Sequence, residues 1–376
     1  MKKFNLMQIL PSLKSGGVEQ GTVDLANFLA SLEIKNYITS NGGQMLSHLN
    51  KKYVEHNTLP VHSKNFFKAP FTAKKINQII YKKDINILHV RSRAPAWLLP
   101  YLNKQHIKTV STFHNVYGSQ NFIKRIYNKQ ISKVDKIVAI SNYVKQEIVN
   151  IYKIKSDKIT VINRGIDVNF LNSVIDNENS FVRFLTEKNI NTNTNNKIIL
   201  FPGRLTNWKG QLEFLKIIEF FKNDPIIFYF AGDNKNKSYE KKLIKEIHIK
   251  NLNSNCKILG HLKKNELKMM YQCSDIIISA PLKPEGFGRI ISEALSMKKI
   301  ILAYNFGGAK DQLKGLDDLY KVKPQDYDEM RFKINTVLKL EKDKVFSMGN
   351  KARRHVIKKF SMDGMLQSYL NFYQEL

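Results

Sequence analysis

Cysteine, acidic side chains and uninterrupted apolar runs are all scarce in this chain of 376 residues. The two cysteines, Cys256 and Cys273, build no disulfide framework and match no paired metal-ligand spacing. That usage makes the cytoplasm the expected compartment. No segment approaches the roughly 18–20 uncharged apolar residues that cross a bilayer. The start, Met1-Lys2-Lys3 followed by Phe4–Leu10, has the basic-then-apolar order of a signal peptide. Asn5 and Gln8 interrupt it, however, and Pro11 follows with no small-residue cleavage site. It reads better as a buried first strand.

The shortage of acid leaves 61 Lys and Arg against 32 Asp and Glu, a formal charge of +29. A field of that sign favours nucleic acid, anionic lipid or phosphorylated and acidic sugars. Lys, Asn and Ile are in joint excess, as an AT-rich genome would write them, so charge alone assigns no partner. Nucleic acid is the weakest of these options: there is no zinc finger, no RNP-like aromatic motif and no basic heptad region.

What is present is enough for two domains. The chain is 43% hydrophobic and too long for one ordinary core. Short apolar, β-branched runs alternate with amphipathic stretches, the pattern of strands joined by crossover helices. The runs predict strands at Phe4–Leu10, Tyr37–Ser40, Ile87–Val90, Thr109–Phe113, Lys136–Ile140 and Thr160–Ile162. Helices are expected at Val18–Leu32, Ala73–Lys82, Ile123–Ser132 and Asn142–Tyr152, the last capped by Ser141. Residues 171–196, ending in Asn191-Thr192-Asn193-Thr194-Asn195-Asn196, are too polar to bury much and predict a linker or surface excursion. A second series follows, with strands at Ile198–Phe201, Ile226–Ala231, Cys256–Leu259, Asp275–Ser279 and Ile300–Ala303. Its helices are Gln211–Phe221, Tyr239–Lys250, Asn265–Cys273 and Gly288–Met297. The expected organisation is therefore an N-terminal α/β domain over 1–170 and a C-terminal one over 197–358. Residues 359–376 would form a helix returning to the first domain. Ligands of such sheets bind beyond the carboxyl ends of the strands, which predicts a cleft site.

Strand Ile198–Phe201 ends in Pro202-Gly203-Arg204-Leu205-Thr206-Asn207-Trp208-Lys209-Gly210. Arg204 offers a fork for phosphate oxygens and Lys209 a point charge. Together they could neutralise charge growing on a diphosphate leaving group without a metal. Taken alone, that spacing fits two surface cations of a Lys-rich chain better than a site. The run Pro284-Glu285-Gly286-Phe287-Gly288-Arg289-Ile290-Ile291-Ser292-Glu293 says more. It follows a buried strand and opens a helix, and Gly286 and Gly288 leave the first backbone N–H groups accessible to an anion. Glu285 lies at that mouth, and Glu293 about two turns further on. One carboxylate could meet a sugar and the other a ribose diol. Capping and solvent exposure are the ordinary alternative, which the Gly-Phe-Gly between them disfavours.

These residues resemble the donor site of the family 4 glycosyltransferases, whose GT-B fold places two Rossmann-like parallel-sheet domains face to face. Gly16-Gly17-Val18-Glu19 is similar to the family's N-terminal glycine loop. His114, in Thr112-Phe113-His114-Asn115, stands at the position of its N-domain histidine, although a lone histidine after a strand is more often structural. Ala139-Ile140-Ser141, Asn163-Arg164-Gly165-Ile166-Asp167, Gly232-Asp233, Gly260 and Gly307-Gly308 match as well. The stretches Leu13–Glu19 and Arg91–Trp97 resemble bacterial enzymes of lipopolysaccharide core or other envelope glycans. Three features depart from the family pattern: Arg164 in a position often uncharged, Asp311 where Glu is common, and a loose match over Leu319–Pro324.

The resemblance implies a retaining hexosyltransferase that needs no metal or other cofactor. A nucleotide-diphosphate sugar would be the donor and a glycan or lipid-linked glycan the acceptor. Arg204 and Lys209 would bind the diphosphate and Glu293 the ribose hydroxyls. Glu285 and His114 would meet the sugar, with Gly286, Phe287 and Gly288 presenting backbone amides and Gly16 and Gly17 closing on the phosphates. The leaving diphosphate itself would help deprotonate the acceptor. Arg91, Arg93 and Arg164 are candidates for an anionic acceptor such as a phosphorylated or Kdo-bearing glycolipid, or are ordinary surface arginines. Lys64-Asn65-Phe66-Phe67-Lys68-Ala69-Pro70-Phe71, with Lys74, Lys75, Lys82 and Lys83, mixes aromatics and lysines. That mixture suits peripheral docking on anionic lipid at the inner face of the cytoplasmic membrane. The rival from another class is a non-catalytic nucleotide- or sugar-binding protein of the same fold. An NAD-dependent dehydrogenase is disfavoured because Gly16, Gly17 and Gly21 lack the Gly-x-Gly-x-x-Gly spacing.

Overall fold

The structure is a computed structural model that describes residues 4–63, 65–118, 121–190, 192, 196–233 and 235–376, with only the backbone of Phe66. Met1, Lys2, Lys3, Lys64 and most of the asparagine-rich run therefore lie outside the described residues. Two compact units emerge: Met1–Gly165 together with Asp363–Leu376, and Ile166–Met362.

The first unit is built on a parallel sheet of seven strands. These are β1 (Leu6–Ile9), β2 (Asn36–Ser40), β3 (Val54–Thr58), β4 (Ile87–Val90), β5 (Lys108–Phe113), β6 (Lys136–Ala139) and β7 (Ile159–Val161). Their order is β3-β2-β1-β4-β5-β6-β7. The central strands are buried along their whole length because helices cover both faces, which is why they read as continuous apolar runs. The edge strand β3, Val-Glu-His-Asn-Thr, buries only Val54 and shows no such run. Sequence reading therefore passes over it. Between β6 and β7, helix Asn142–Tyr152 buries Val144, Ile148 and Tyr152, one side chain per turn. Its Ser141 cap accepts a hydrogen bond from the Val144 N–H at 3.1 Å. The terminal helix Met362–Gln374 belongs to this unit from Asp363 onward and is held by a buried histidine. His89 contacts the Tyr373 hydroxyl at 2.6 Å through Nδ1 and the Thr112 hydroxyl at 2.7 Å through Nε2.

The second unit holds six parallel strands: β8 (Lys197–Pro202), β9 (Ile226–Ala231), β10 (Cys256–Gly260), β11 (Ile276–Ser279), β12 (Ile300–Tyr304) and β13 (Lys321–Val322). Their order is β10-β9-β8-β11-β12-β13. Two parallel-sheet α/β domains are thus the architecture, as the alternating pattern implies. The described part of residues 171–196 is largely exposed but not without regular structure. It contains helix Glu178–Glu187, capped by Asn177 and anchored by buried Phe184. The segment before the helix is pinned by Arg353, whose guanidinium donates to the carbonyls of Val168, Leu171 and Ser296. One buried aromatic in ten residues leaves too weak a period to announce that helix in the sequence.

Candidate functional site

In both sheets the strand order reverses beside the first strand, between β1 and β4 and again between β8 and β11. The crevice at such a reversal is where open α/β sheets hold ligands. Most of the sequence candidates fall on the segments that leave these strands and their neighbours, with Arg164 after the edge strand β7 and Glu293 within helix Arg289–Ser296.

In the second unit, the loop after β8 starts at Gly203 and ends at Gly210. Gly203 lies so close to Gly232 that a Cβ on the latter would sit 1.9 Å from the Gly203 oxygen. Gly210 is left-handed (φ 86°), and a side chain there would meet the Ala280 carbonyl at 2.4 Å. Two glycines are therefore demanded by close backbone approach. Gln211, fully buried, donates to the carbonyls of Arg204 (3.0 Å) and Gly203 (3.4 Å) and so fixes the loop from beneath. Arg204 is left exposed, with no hydrogen bond or ion pair to its guanidinium among the described residues. Lys209 behaves differently. It is 8% exposed, its Nζ lies 4.8 Å from the Trp208 ring centre, and it donates to Glu285 Oε1 at 2.7 Å. The two halves that spacing suggested separately, a basic loop and an acidic loop, meet as one ion pair.

The loop after β11 is clamped by a residue that spacing does not reveal. Gln312, fully buried, accepts from the Ser292 N–H (3.1 Å) and hydroxyl (2.6 Å) through Oε1. Its Nε2 donates to the carbonyls of Phe287 and, at 3.3 Å, Gly288. Gly308 supports the same loop: its N–H donates to the Glu285 carbonyl at 2.9 Å, and a Cβ would lie 2.5 Å from the Gly286 oxygen. Gly288 caps helix Arg289–Ser296 in a left-handed conformation (φ 78°). The Phe287 ring turns away into the core against Phe360, 5.8 Å between centres, so only its backbone can serve a ligand. Glu293 holds Arg289 Nη2 at 3.1 Å on Oε1 and the Tyr271 hydroxyl at 3.1 Å on Oε2. Tyr271 is a further residue that no local pattern marks.

In the first unit, Gly16 (φ 136°) caps helix Gly17–Ser31. A Cβ on Gly17 would lie 2.9 Å from Arg164 Nη2, which donates to the Gly17 carbonyl. One turn on, Gly21 faces Arg91, with the Arg91 Nη2 3.5 Å from where a Cβ would be. Two glycines four apart thus open a helix face to two guanidinium groups. Arg91 is not the surface arginine that one reading allowed: it is 2% exposed, beneath the Tyr369 ring (5.4 Å). Its Nε and Nη1 find no hydrogen-bond partner among the described residues. Arg93 has other partners. It donates to Asn128 Oδ1 at 2.8 Å and stacks over Tyr117 at 4.3 Å. The His114 ring keeps a partly exposed edge, yet both nitrogens are sealed from solvent and lack partners of good geometry among the described residues. Burial, then Arg91 and Arg164, hold its pKa well below the ordinary 6.5, while the Arg91 backbone favours the proton slightly. His114 is a neutral imidazole.

Cavities of 490 Å³ beside Lys216 and Arg331, and of 450 Å³ beside Lys299 and Phe346, contain none of these residues.

Residues 15–170 match the family model described as Glycosyltransferase Family 4, and residues 183–355 that of Glycosyl transferases group 1. A solved glycosyltransferase from Rickettsia africae is 34% identical, with all of this chain and 99% of that one covered and a TM-score of 0.89. Anabaena HepE, solved in complex with UDP and glucose, superposes at a TM-score of 0.80. It is 17% identical over 99% of this chain and 100% of its own, a likeness of fold. Among curated relatives, the N-acetyl-alpha-D-glucosaminyl L-malate synthase of Bacillus anthracis is 23% identical over 81% of this chain and 78% of its own.

Proposed function

The chain belongs to the group 1 glycosyltransferases of family 4, with the GT-B fold, and we propose that it is a retaining, metal-independent hexosyltransferase. The single observation that carries this reading is the Lys209–Glu285 pair together with Arg204, which has no partner among the described residues, on the loops that leave β8 and β11. An incoming nucleotide diphosphate offers Lys209 a second anion, and Arg204 completes its neutralisation. Glu285, relieved of its partner, then accepts hydrogen bonds from sugar hydroxyls. Glu293 takes the ribose diol, the amides of Gly286, Phe287 and Gly288 line the approach, and neutral His114 hydrogen-bonds the sugar. Gly16 and Gly17 would close on the phosphates at the start of helix Gly17–Ser31, whose dipole favours negative charge. In the transfer itself, the bond from the anomeric carbon to the phosphate oxygen breaks and a bond to the acceptor oxygen forms on the same face. The acceptor proton passes to the departing diphosphate.

The acceptor is proposed as a glycan or lipid-linked glycan of lipopolysaccharide or other cell-envelope polysaccharide. Arg91, buried, and Arg164, donating to the Gly17 carbonyl, would favour an anionic group on it through their charge, and Arg93 is held by Asn128 and Tyr117. The test is a screen of nucleotide sugars, by thermal shift and acceptor-free hydrolysis, with EDTA throughout. One nucleotide sugar is expected to raise the melting temperature and to be hydrolysed slowly. A strict metal requirement would contradict the reading. Within the same assay, Glu293→Ala should weaken nucleotide-sugar binding, and Glu285→Ala should mainly lower turnover.

Docking at the inner face of the cytoplasmic membrane is part of this proposal. No helix among the described residues is long and apolar enough to cross a membrane. Phe67 and Phe71 are 87% and 74% exposed among lysines, and Phe122 and Ile123 are 73% and 76% exposed on a helix carrying Lys124, Arg125 and Lys129. Apolar side chains ringed by cations suit anionic headgroups. The protein is expected to co-sediment with anionic vesicles at low salt and to lose that binding in Phe67→Ser/Phe122→Ser. Equal partition to neutral vesicles would sink the idea.

A further inference from the structure

We infer that Tyr271 is a positioning residue that sets nucleotide selection for ribose over 2′-deoxyribose by holding Glu293. This rests on the proposed role of Glu293 at the ribose diol. Glu293 sits on helix Arg289–Ser296, and Tyr271 on the separate helix Lys264–Cys273, which leads into β11. The Tyr271 side chain has no exposed surface, and its hydroxyl donates to Glu293 Oε2 at 3.1 Å. A phenol enclosed by the core has no freedom to follow a wandering carboxylate. Burial first, then the charge of Glu293, keep its proton on well above the ordinary range, so it remains a donor at every working pH.

Arg289 holds the other oxygen, Oε1, at 3.1 Å, but its side chain is 46% exposed and lies one turn away on the same helix. Exposed pairs of that kind hold their partners only weakly. The two clamps are therefore unequal, and the buried one sets the carboxylate plane. One partner on each oxygen still leaves each a lone pair. A carboxylate fixed in this way can accept from two vicinal hydroxyls at once. Released from Tyr271, it turns about its χ angles, and the second hydroxyl no longer finds a waiting acceptor.

The experiment uses Tyr271→Phe, which keeps the ring and removes only the hydroxyl. The ribo and 2′-deoxy forms of UDP, GDP and ADP are titrated against the parent, Tyr271→Phe and Glu293→Gln, and the tightest-binding base is read. The parent should favour the ribonucleotide about tenfold, the scale of one hydrogen bond to a charged group. Tyr271→Phe should cut that ratio to about threefold or less by weakening the ribo form, with the deoxy form unchanged. A merely structural role for Tyr271 would weaken both forms alike and leave the ratio standing, which overturns the inference. If Glu293→Gln itself leaves the parent ratio intact, the ribose reading of Glu293 fails instead. If Glu293→Gln lowers the ratio and Tyr271→Phe does not, the reading stands and the positioning role falls.

Discussion

Lys209→Ala should lower kcat by about 10²–10³-fold, the loss that follows removal of one preorganised donor at a developing oxyanion. The physical reason lies in where the charge sits. Lys209 is 8% exposed and ion-paired with Glu285, so both charges are already withdrawn from water. A cation in that setting acts on a leaving diphosphate with little screening. Truncation removes the cation and also leaves Glu285 as a partly buried carboxylate without its partner, which costs stability in its own right. The double variant Lys209→Met/Glu285→Gln separates the two effects. It should melt close to the parent, because no uncompensated charge remains, and be no more active than the single variant. Turnover of Lys209→Ala within threefold of the parent would remove Lys209 from the chemistry. Lys209→Arg is not expected to restore the rate fully, because Arg spreads its charge over a larger planar fork where buried Lys209 sets a compact ammonium 2.7 Å from Glu285.

Acid should destabilise the first unit steeply below about pH 6.5. His89 has no exposed surface and is held well below its ordinary 6.5 by burial, then by Arg91 and His114. It is neutral when folded and takes a proton when unfolded. A depressed folded pKa therefore contributes stability that is complete above the unfolded value and is lost as the pH falls through it. Once the pH lies well below 6.5, each such histidine steepens the loss by up to about 1.4 kcal/mol per pH unit, and His89 and His114 act together. The two tryptophans fall one to each unit, Trp97 in the first and Trp208 in the second. Urea unfolding followed by fluorescence of Trp208→Phe thus reports the first unit. The pH slope should drop by about one proton in His89→Gln, whatever that substitution does to absolute stability. A stability that stays level from pH 7.5 to 5 would contradict the burial of these rings.

Much of this architecture was legible residue by residue. Strands β1, β4, β8 and β11 announce themselves as apolar runs because a parallel sheet is covered on both faces. Helix Asn142–Tyr152, with its Ser141 cap, is written in local periodicity and needs no distant partner. The polar edge strand β3 and the helix at Glu178–Glu187 carry little apolar signal, and both were hidden for that reason. Gln211, Tyr271 and Gln312 were hidden differently. Each is unremarkable in its own helix and acts on a loop or side chain elsewhere in the fold, as Tyr271 does on Glu293, 22 positions along.

Composition and spacing by themselves determined that the chain alternates strand and helix in two series. They also determined that glycines, cations and carboxylates stand where strands end. Both follow from local chemistry: backbone reach, side-chain period and the special freedom of glycine. Only the tertiary structure decided which charges meet. Lys209 joins Glu285 across 76 positions because β8 and β11 are neighbours in the sheet, an order set by how the crossover helices pack. Arg91 is buried, and Arg93 two positions later is turned to Asn128, because β4 lies at the centre of its sheet and Tyr369 of the terminal helix lies over the first of them. Side-chain spacing carries no information on that choice, since burial depends on what the rest of the chain brings to the same place.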